Sequence, residues 1–176
     1  MRVLVTGGSA SGKSEFAEQL LLSLAEAHAL AEKFYIATMP IFSAEDEARK
    51  EKHLRARQGR GFITIEQAEN LSSLRMPEKQ GGRFALLEDI GNLAANEMFG
   101  ANGISGAAMR VASGALSLAA QCDSAVIVSV DVARDGISYD PETREYIHII
   151  EQVNRTLSAE FDAVYEVVCG IPVKVK

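Results

Sequence analysis

The chain has 176 residues, of which 47% are hydrophobic and 24% are charged, and its formal net charge at pH 7 is −6. This size predicts one domain over residues 1–176, with a core that needs no disulfide or metal support. An acidic chain without an apolar run of about 20 residues is expected neither to bind nucleic acid generally nor to interact with a membrane. Two isolated cysteines and the lack of a signal-peptide pattern predict a cytoplasmic protein.

Short apolar segments alternate along the chain with longer segments of helical periodicity. The predicted strands are Val3–Thr6, Phe34–Thr38, Phe84–Leu87 and Ala125–Val130. They are almost continuously apolar, which is typical of parallel strands buried on both faces. The predicted helices are Ser14–Ala31, Ala44–Gln58, Gly106–Gln121 and Pro141–Leu157. The predicted fold class is therefore α/β, a three-layer domain with a mostly parallel sheet.

Two of these helices show a clear apolar stripe, and the chain ends in a different pattern. The stripe of the first helix is Phe16, Leu20, Leu24 and Ala27, and that of the last is Tyr146, Ile149, Ile150, Val153 and Leu157. After the last helix, Ala163–Cys169 and Pro172–Lys176 flank Gly170-Ile171, which predicts a C-terminal antiparallel hairpin at one sheet edge.

The strongest chemical signal lies between the first predicted strand and helix. Gly7-Gly8-Ser9-Ala10-Ser11-Gly12-Lys13-Ser14 matches the phosphate-loop pattern G-x-x-x-x-G-K-[S/T] in full. Glycines let successive backbone N–H groups face phosphate oxygens, and the helix N-terminus adds favourable charge. Lys13 is expected to reach the β- and γ-phosphates and the Ser14 hydroxyl to ligate Mg²⁺. The alternative is a Gly/Ser turn with an incidental lysine, but the strand–loop–helix context favours nucleoside triphosphate binding.

The predicted strand Phe84–Leu87 is followed by two acids, Glu88 and Asp89. A phosphate-loop protein needs such an acid near the hydrated Mg²⁺. Successive side chains of a strand point to opposite faces, so we expect one of the two, Glu88, to face the metal. Asp89 is a possible second participant, and the alternative is that both acids simply end the strand.

The predicted helix Ala44–Gln58 carries a dense cationic face. Arg49, His53 and Arg57 are four residues apart, and lysines flank the histidine closely in sequence. Positive neighbours favour the neutral, nucleophilic imidazole, and the arginines could bind a triphosphate. A solvated charged helix with an incidental histidine is the alternative. The other histidines, His28 and His148, are interpreted as structural or surface residues.

Taken together, these motifs resemble those of the bifunctional adenosylcobinamide kinase / adenosylcobinamide-phosphate guanylyltransferase family of cobalamin biosynthesis. The similarity starts at Leu4–Glu18 and spans nearly the whole chain. It continues through Tyr35-Ile36-Ala37-Thr38, Arg49-x-x-x-His53-x-x-x-Arg57, Thr64-Ile65-Glu66, Leu86-Leu87-Glu88 with Asn96 downstream, Val153-Asn154-Arg155-x-Leu157 and Gly170–Lys176.

The resemblance implies a RecA-like phosphate-loop domain with two activities. A nucleoside triphosphate, ATP or GTP, phosphorylates the cobinamide hydroxyl, and GTP then forms a GMP-histidine whose GMP passes to cobinamide phosphate. It also implies Mg²⁺, a corrinoid as small-molecule substrate, and a homo-oligomer, typically a trimer. The catalytic residues implied are His53 as nucleophile and Lys13. The nucleotide-binding residues indicated are Gly7, Gly8, Ser9, Ala10, Ser11, Gly12, Lys13, Ser14, Ala37, Thr38, Met39, Arg49, Leu54, Arg55, Ala56, Arg57, Glu66 and Glu88, with Ser14 and Glu88 as metal ligands.

Two other functions stay open at the level of sequence. The family tends to read Asn-Glu-Val-Gly-x-Gly after the fourth predicted strand, whereas this chain has Val130-Asp131-Val132-Ala133-Arg134-Asp135-Gly136. Because ligands bind at the carboxyl ends of parallel strands, this difference allows a kinase or nucleotidyltransferase with another small-molecule acceptor. It also allows a non-catalytic, nucleotide-binding regulatory protein.

Overall fold

The computed structural model describes residues 1–40, 59–78, 81–132 and 138–176. Over this part of the chain, one sheet has the strand order β3-β2-β4-β5-β1-β6-β7. Its strands are β1 (Arg2–Thr6), β2 (Glu32–Ala37), β3 (Phe62–Glu66), β4 (Arg83–Glu88), β5 (Ser124–Val128), β6 (Ala163–Val168) and β7 (Ile171–Lys174). Strands β1 to β6 pair in parallel, and β7 pairs antiparallel with β6.

Helices cover both faces of the sheet. They are α1 (Lys13–Glu26), α2 (Ile90–Phe99), α3 (Ala107–Ala120) and α4 (Pro141–Glu160), and a short 3-10 turn lies at Leu71–Ser73. Alternation along β1 separates the two layers, because Val3 and Val5 pack with α1 whereas Leu4 packs with α2, α3 and α4. Burying each large apolar side chain stabilises the fold by about 1.5–3 kcal/mol.

The predicted three-layer α/β class, the mostly parallel sheet and the C-terminal hairpin are confirmed. The boundaries of the first helix are wrong at its C-terminal end, since α1 stops at Glu26 and turns lead into β2. Its most buried face is also displaced by one residue. Ala17, Leu21 and Ala25 are buried, while the predicted stripe residues Phe16, Leu20 and Leu24 are only partly buried.

The last helix follows its predicted stripe more closely. Ile149, Ile150, Val153 and Leu157 are buried, and Tyr146 is partly buried against the same core. The helix begins where Asp140 caps it, with its carboxylate accepting from the N–H groups of Glu142 and Thr143, and Pro141 occupies the first turn. These hydrogen bonds lower the pKa of Asp140.

Two elements were not predicted, and one turn is displaced. Strand β3 adds an edge beside β2, and helix α2 follows β4 directly. In the hairpin, Ile171 begins β7 rather than lying in the turn, which is formed by Cys169 and Gly170. The predicted helix Ala44–Gln58 lies outside the described residues. Within the described ranges, no helix is both long and apolar enough to cross a membrane.

Candidate functional site

The loop between β1 and α1 is built around two glycines at which a side chain would be strained. A Cβ at Gly7 would lie 2.6 Å from both the Ser11 hydroxyl oxygen and the Val167 carbonyl oxygen. Gly12 has a φ of 90° in the left-handed region, where it precedes the first residue of α1. The loop therefore runs close to its own backbone and to β6, with its last residues turned into the helix N-terminus.

Lys13 is the first residue of α1, and its side chain folds back over the loop. Its Nζ donates to the Gly8 carbonyl oxygen at 3.0 Å, and the residue is buried, with 8% of its surface exposed. A buried ammonium needs partners with negative charge or carbonyl oxygens. In this position the Lys13 Nζ could leave the Gly8 carbonyl oxygen and donate to a phosphate oxygen instead.

Ser14 and Glu88 meet although they are 74 residues apart in sequence. The Ser14 hydroxyl donates to the Glu88 carboxylate, which brings the start of α1 to the end of β4. Hydroxyl and carboxylate oxygens are hard ligands of the kind that Mg²⁺ takes in nucleotide sites. These two donors beside a phosphate loop fit a magnesium ion.

Asp89 has a different position from Glu88. Its carboxylate accepts from the Asn92 N–H at 2.7 Å and so caps α2. Burial raises the pKa of this carboxyl group, while its hydrogen bond to Asn92 and the charge of Lys13 oppose the shift. The structure thus directs one acid of the pair to Ser14 and uses the other to begin a helix.

Thr38 links the ends of β2 and β4. The residue is fully buried, and its Oγ1 lies 2.9 Å from the carbonyl oxygens of both Glu88 and Asp89. The same oxygen accepts from the Asp89 N–H at 2.8 Å. Its hydroxyl is therefore occupied by the β4 terminus.

The carboxyl edge of the sheet brings the remaining described site residues together. Ala37 is in register with Glu66 of β3 on one side and with Glu88 of β4 on the other. Met39 follows directly after Thr38 at this same edge. The predicted nucleotide-binding residues of this edge therefore lie side by side at the ends of three neighbouring strands: Ala37, Thr38, Met39, Glu66 and Glu88.

Two further segments border the phosphate loop. The Gly170 N–H of the hairpin turn donates to the Ser11 carbonyl oxygen at 2.8 Å, and the Asp131 N–H after β5 donates to the Gly7 carbonyl oxygen at 3.1 Å. The Ser11 hydroxyl itself is buried and has no hydrogen-bond partner among the described residues. An unpartnered buried hydroxyl in such a loop is consistent with a ligand that completes it.

Several predicted site residues lie outside the described residues: Arg49, His53, Leu54, Arg55, Ala56 and Arg57, together with residues 133–137 of the loop after β5. The two other histidines are described. The His28 ring packs against Phe84 with centroids 4.9 Å apart, and the exposed His148 pairs with Gln152 at 2.7 Å. Neither contact involves the phosphate loop.

Sequence reasoning missed what helix α2 contributes to this edge. Its Asn96 amide donates to the carbonyl oxygens of Thr38 and Ala68. A signal for the helix was present, because Asp89 is a good N-cap and Ile90, Leu93, Ala94 and Met98 follow helical spacing. No local pattern could have shown that Asn96 reaches two other strands.

Strand β1, the glycine-rich loop and helix α1, on this mostly parallel sheet, define a phosphate-loop α/β fold. The family model for cobinamide kinase / cobinamide phosphate guanyltransferase matches residues 3–175. The chain belongs to this family of transferases.

The chain is also similar to individual proteins and to solved structures. Two relatives are named bifunctional adenosylcobalamin biosynthesis protein CobU, from Escherichia coli (strain K12) and Salmonella typhimurium (strain LT2). They are 34% and 32% identical to this chain, over the full length of this chain and of each relative. Among solved structures, a KaiC-like protein of Pyrococcus horikoshii OT3 has a TM-score of 0.49 and 15% identity, with 94% of this chain and 71% of that one covered.

Proposed function

We propose that this protein phosphorylates adenosylcobinamide and then transfers GMP from GTP to the resulting phosphate, as one nucleotide-binding domain. Family membership supports both activities in general terms. The observation that carries the proposal is the meeting of Lys13, Ser14 and Glu88 at one phosphate loop. An acid that meets the loop serine is what a site for a metal-bound triphosphate requires.

In the kinase reaction, the chain's own residues position and neutralise the transferred group. The cobinamide hydroxyl oxygen bonds to the γ-phosphorus of the triphosphate, the bond from that phosphorus to the β-phosphate oxygen breaks to release the nucleoside diphosphate, and the hydroxyl proton passes to solvent. Lys13 moves from the Gly8 carbonyl oxygen to the phosphates, and the loop N–H groups hold the same oxygens. The Ser11 hydroxyl, buried and unpartnered among the described residues, is available as a further donor.

Ser14 and Glu88 are the residues that would hold Mg²⁺ in this site. Their oxygens already meet, and both are of the type the ion prefers. When bound, the ion supplies positive charge that offsets the charge of the phosphates. Asp89 is occupied as the cap of α2, which supports Glu88 as the acid of the metal site.

In the guanylyl reaction, His53 is proposed as the nucleophile. Its imidazole nitrogen bonds to the α-phosphorus of GTP, and the bond to the β-phosphate oxygen breaks with release of pyrophosphate. A phosphate oxygen of cobinamide phosphate then bonds to the same phosphorus, and the phosphorus–nitrogen bond breaks to give GDP-cobinamide and free histidine. Splitting one displacement into two is the general benefit of a covalent intermediate.

The support for His53 is its sequence pattern and the family, since residues 41–58 lie outside the described structure. Arg49 and Arg57 lie four residues before and after the histidine in sequence, a spacing that predicts one helical turn on each side. Glu66 lies beside Ala37 at the sheet edge and is proposed to face the guanylate. The proposed homo-oligomer, a trimer by resemblance, is tested separately by sedimentation equilibrium.

Incubation with α-labelled GTP and Mg²⁺ tests the covalent step. We expect an acid-labile, alkali-stable label on the protein together with pyrophosphate, and we expect His53→Ala to lose the label while it still phosphorylates cobinamide. His148→Ala is the matched control, because that exposed histidine pairs only with Gln152 among the described residues. Labelling that persists in His53→Ala would overturn the assignment of the nucleophile.

The acceptor is tested by turnover of the corrinoid. We expect phosphorylation of adenosylcobinamide by ATP or GTP, followed by formation of a GDP-cobinamide product. A labelled protein that transfers GMP to other small phosphates but leaves cobinamide phosphate unchanged would favour a different acceptor. Nucleotide binding with neither label nor phosphoryl transfer would favour the regulatory alternative.

A further inference from the structure

Helix α2 sends one side-chain amide across the carboxyl edge of the sheet. The Asn96 Nδ2 atom lies 2.9 Å from the Thr38 carbonyl oxygen and 2.8 Å from the Ala68 carbonyl oxygen. Thr38 follows β2, and Ala68 lies two residues beyond the end of β3. Both amide hydrogens are therefore used, and they tie two strand ends to the helix.

The same helix is fixed at its N-terminus to β4. Asp89 caps α2, and the buried Thr38 hydroxyl contacts the carbonyl oxygens of Glu88 and Asp89 at 2.9 Å. Hydrogen bonds thus form a closed circuit from Thr38 to the β4 terminus, along α2 to Asn96, and back to the Thr38 carbonyl. Closing the circuit leaves the backbone at Glu88 little freedom to shift.

The carboxylate that this circuit fixes is the one that contacts Ser14. On the other side, Gln67 N–H donates to the Ala37 carbonyl oxygen at 2.9 Å, so the end of β3 is fixed to β2 as well. Among the described residues of α2, only Asn96 has a side chain that donates to the segments following both β2 and β3.

We infer that Asn96 is a positioning residue for the acidic edge, holding the Glu88 carboxylate in place for the metal-bound triphosphate. This inference rests on the proposed function, because Glu88 is assigned there to the metal. Asn96 does not contact Ser14 or the phosphate loop in the described structure, so it acts through Thr38 and the β4 terminus. Residues that orient metal ligands in this way typically change metal affinity or activity by about 10–100-fold when they are replaced.

The fold offers reason to expect that the helix survives loss of this amide. The adjacent Glu97 is buried, accepts from the Asn70 N–H at 2.7 Å and pairs with Arg110 at 2.7 Å. The Arg110 guanidinium also donates to the carbonyl oxygens of Gly103 and Ser105. This second set of bonds holds the C-terminal half of α2 independently of Asn96.

The test compares Asn96→Ala with Asn92→Ala, the same substitution one turn earlier on the same helix. For Asn92 the structure gives no side-chain hydrogen bond to a described residue. Affinity for a non-hydrolysable GTP analogue is measured by calorimetry with Mg²⁺ and again with EDTA, and thermal melting reports folding. We expect Asn96→Ala to lose about tenfold in the Mg²⁺-dependent gain in affinity, with binding in EDTA unchanged. Asn92→Ala should keep both values.

The outcomes separate this inference from the proposed function. A wild-type protein that binds the analogue equally well with Mg²⁺ and with EDTA contradicts the proposed metal site itself. If the wild-type protein shows the Mg²⁺-dependent gain in affinity and Asn96→Ala keeps it as Asn92→Ala does, only the positioning role is overturned. An equal loss in Mg²⁺ and in EDTA would show a merely structural role and also overturns it.

If Asn96→Ala does not fold, Asn96→Gln carries the same test. It keeps the amide and displaces it by one methylene group, so we expect a smaller loss confined to the Mg²⁺-dependent part of the affinity. An unchanged Mg²⁺ dependence in Asn96→Gln, with melting as in wild type, would then decide against the inference.

Discussion

The phosphate loop and the acidic edge of the sheet are assembled in opposite ways. The loop motif is local, since Lys13 bonds to Gly8 five residues away, although Gly7 and Gly12 also lie close to β6 and the hairpin turn. The acidic edge is non-local, because Ser14 meets Glu88 across 74 residues and Asn96 meets Thr38 across 58. A local site can be read as a motif, whereas the edge exists only when β2, β3, β4 and α2 are in place.

The largest expected effect is on the local side, at Lys13. Lys13→Ala removes the ammonium group that we propose donates to the phosphates. Hydrogen bonds to a charged group are worth up to about 3 kcal/mol, so we expect nucleoside triphosphate affinity to fall by about 100-fold. Calorimetric titration measures it. Lys33→Ala, at the start of β2 away from the carboxyl edge, is the control and should bind as wild type. Equal affinities for all three proteins would contradict the assignment of the loop.

On the non-local side, Thr38→Val removes a buried hydroxyl with nearly unchanged shape. The Asp89 N–H and the carbonyl oxygens of residues 88 and 89 lose this partner, so we expect a loss of about 1–3 kcal/mol in the free energy of unfolding. Denaturant unfolding measures the change. Thr156→Val is the control, because its hydroxyl is on the exposed face of α4 and water can replace its contact to Gln152. Similar losses in the two variants would argue against a special role of the Thr38 hydroxyl at the β4 terminus.

Gly12→Ala tests whether the loop conformation matters for stability. The residue has a φ of 90°, and a Cβ would lie 3.2 Å from the Gly170 Cα, so we expect a loss of about 1–2 kcal/mol in the free energy of unfolding. At Gly8 a Cβ would meet nothing within 4 Å, and Gly8→Ala should show no loss of stability. A Gly12→Ala protein as stable as Gly8→Ala would show that the loop tolerates another conformation.

The smallest expected effect is the pH dependence that Asp89 adds. Burial raises the pKa of Asp89 above its ordinary value of 3.8, because the folded state favours the protonated carboxyl group. Its contribution to the free energy of unfolding is therefore complete below pH 3.8 and is lost as the pH rises through the raised pKa. Asn can cap α2 equally well but does not ionise. Asp89→Asn should therefore gain melting temperature relative to wild type as pH increases above 3.8, measured in EDTA. A constant difference across that range would contradict the raised pKa.

The contrast between local and non-local assembly also explains how much the sequence could predict. Parallel strands such as β1 and β5 have continuous apolar centres, which predict them from sequence. The G-x-x-x-x-G-K-S motif predicts the loop because its residues are contiguous. Strand β3, an edge strand with exposed Ile63, lacks that continuous burial and was missed. The roles of Thr38 and Asn96 depend on partners 50 or more residues away, which no periodicity encodes.

We propose that the loop and the edge form a single site for a metal-bound triphosphate. A double-mutant cycle with Ser14→Ala and Glu88→Gln tests it through the Mg²⁺-dependent affinity for a non-hydrolysable GTP analogue. Each single variant should lose about tenfold, and the double variant should lose little more than either one, because both residues serve the same ion. Losses that multiply in the double variant, or an affinity independent of Mg²⁺ in wild type, would contradict a shared site.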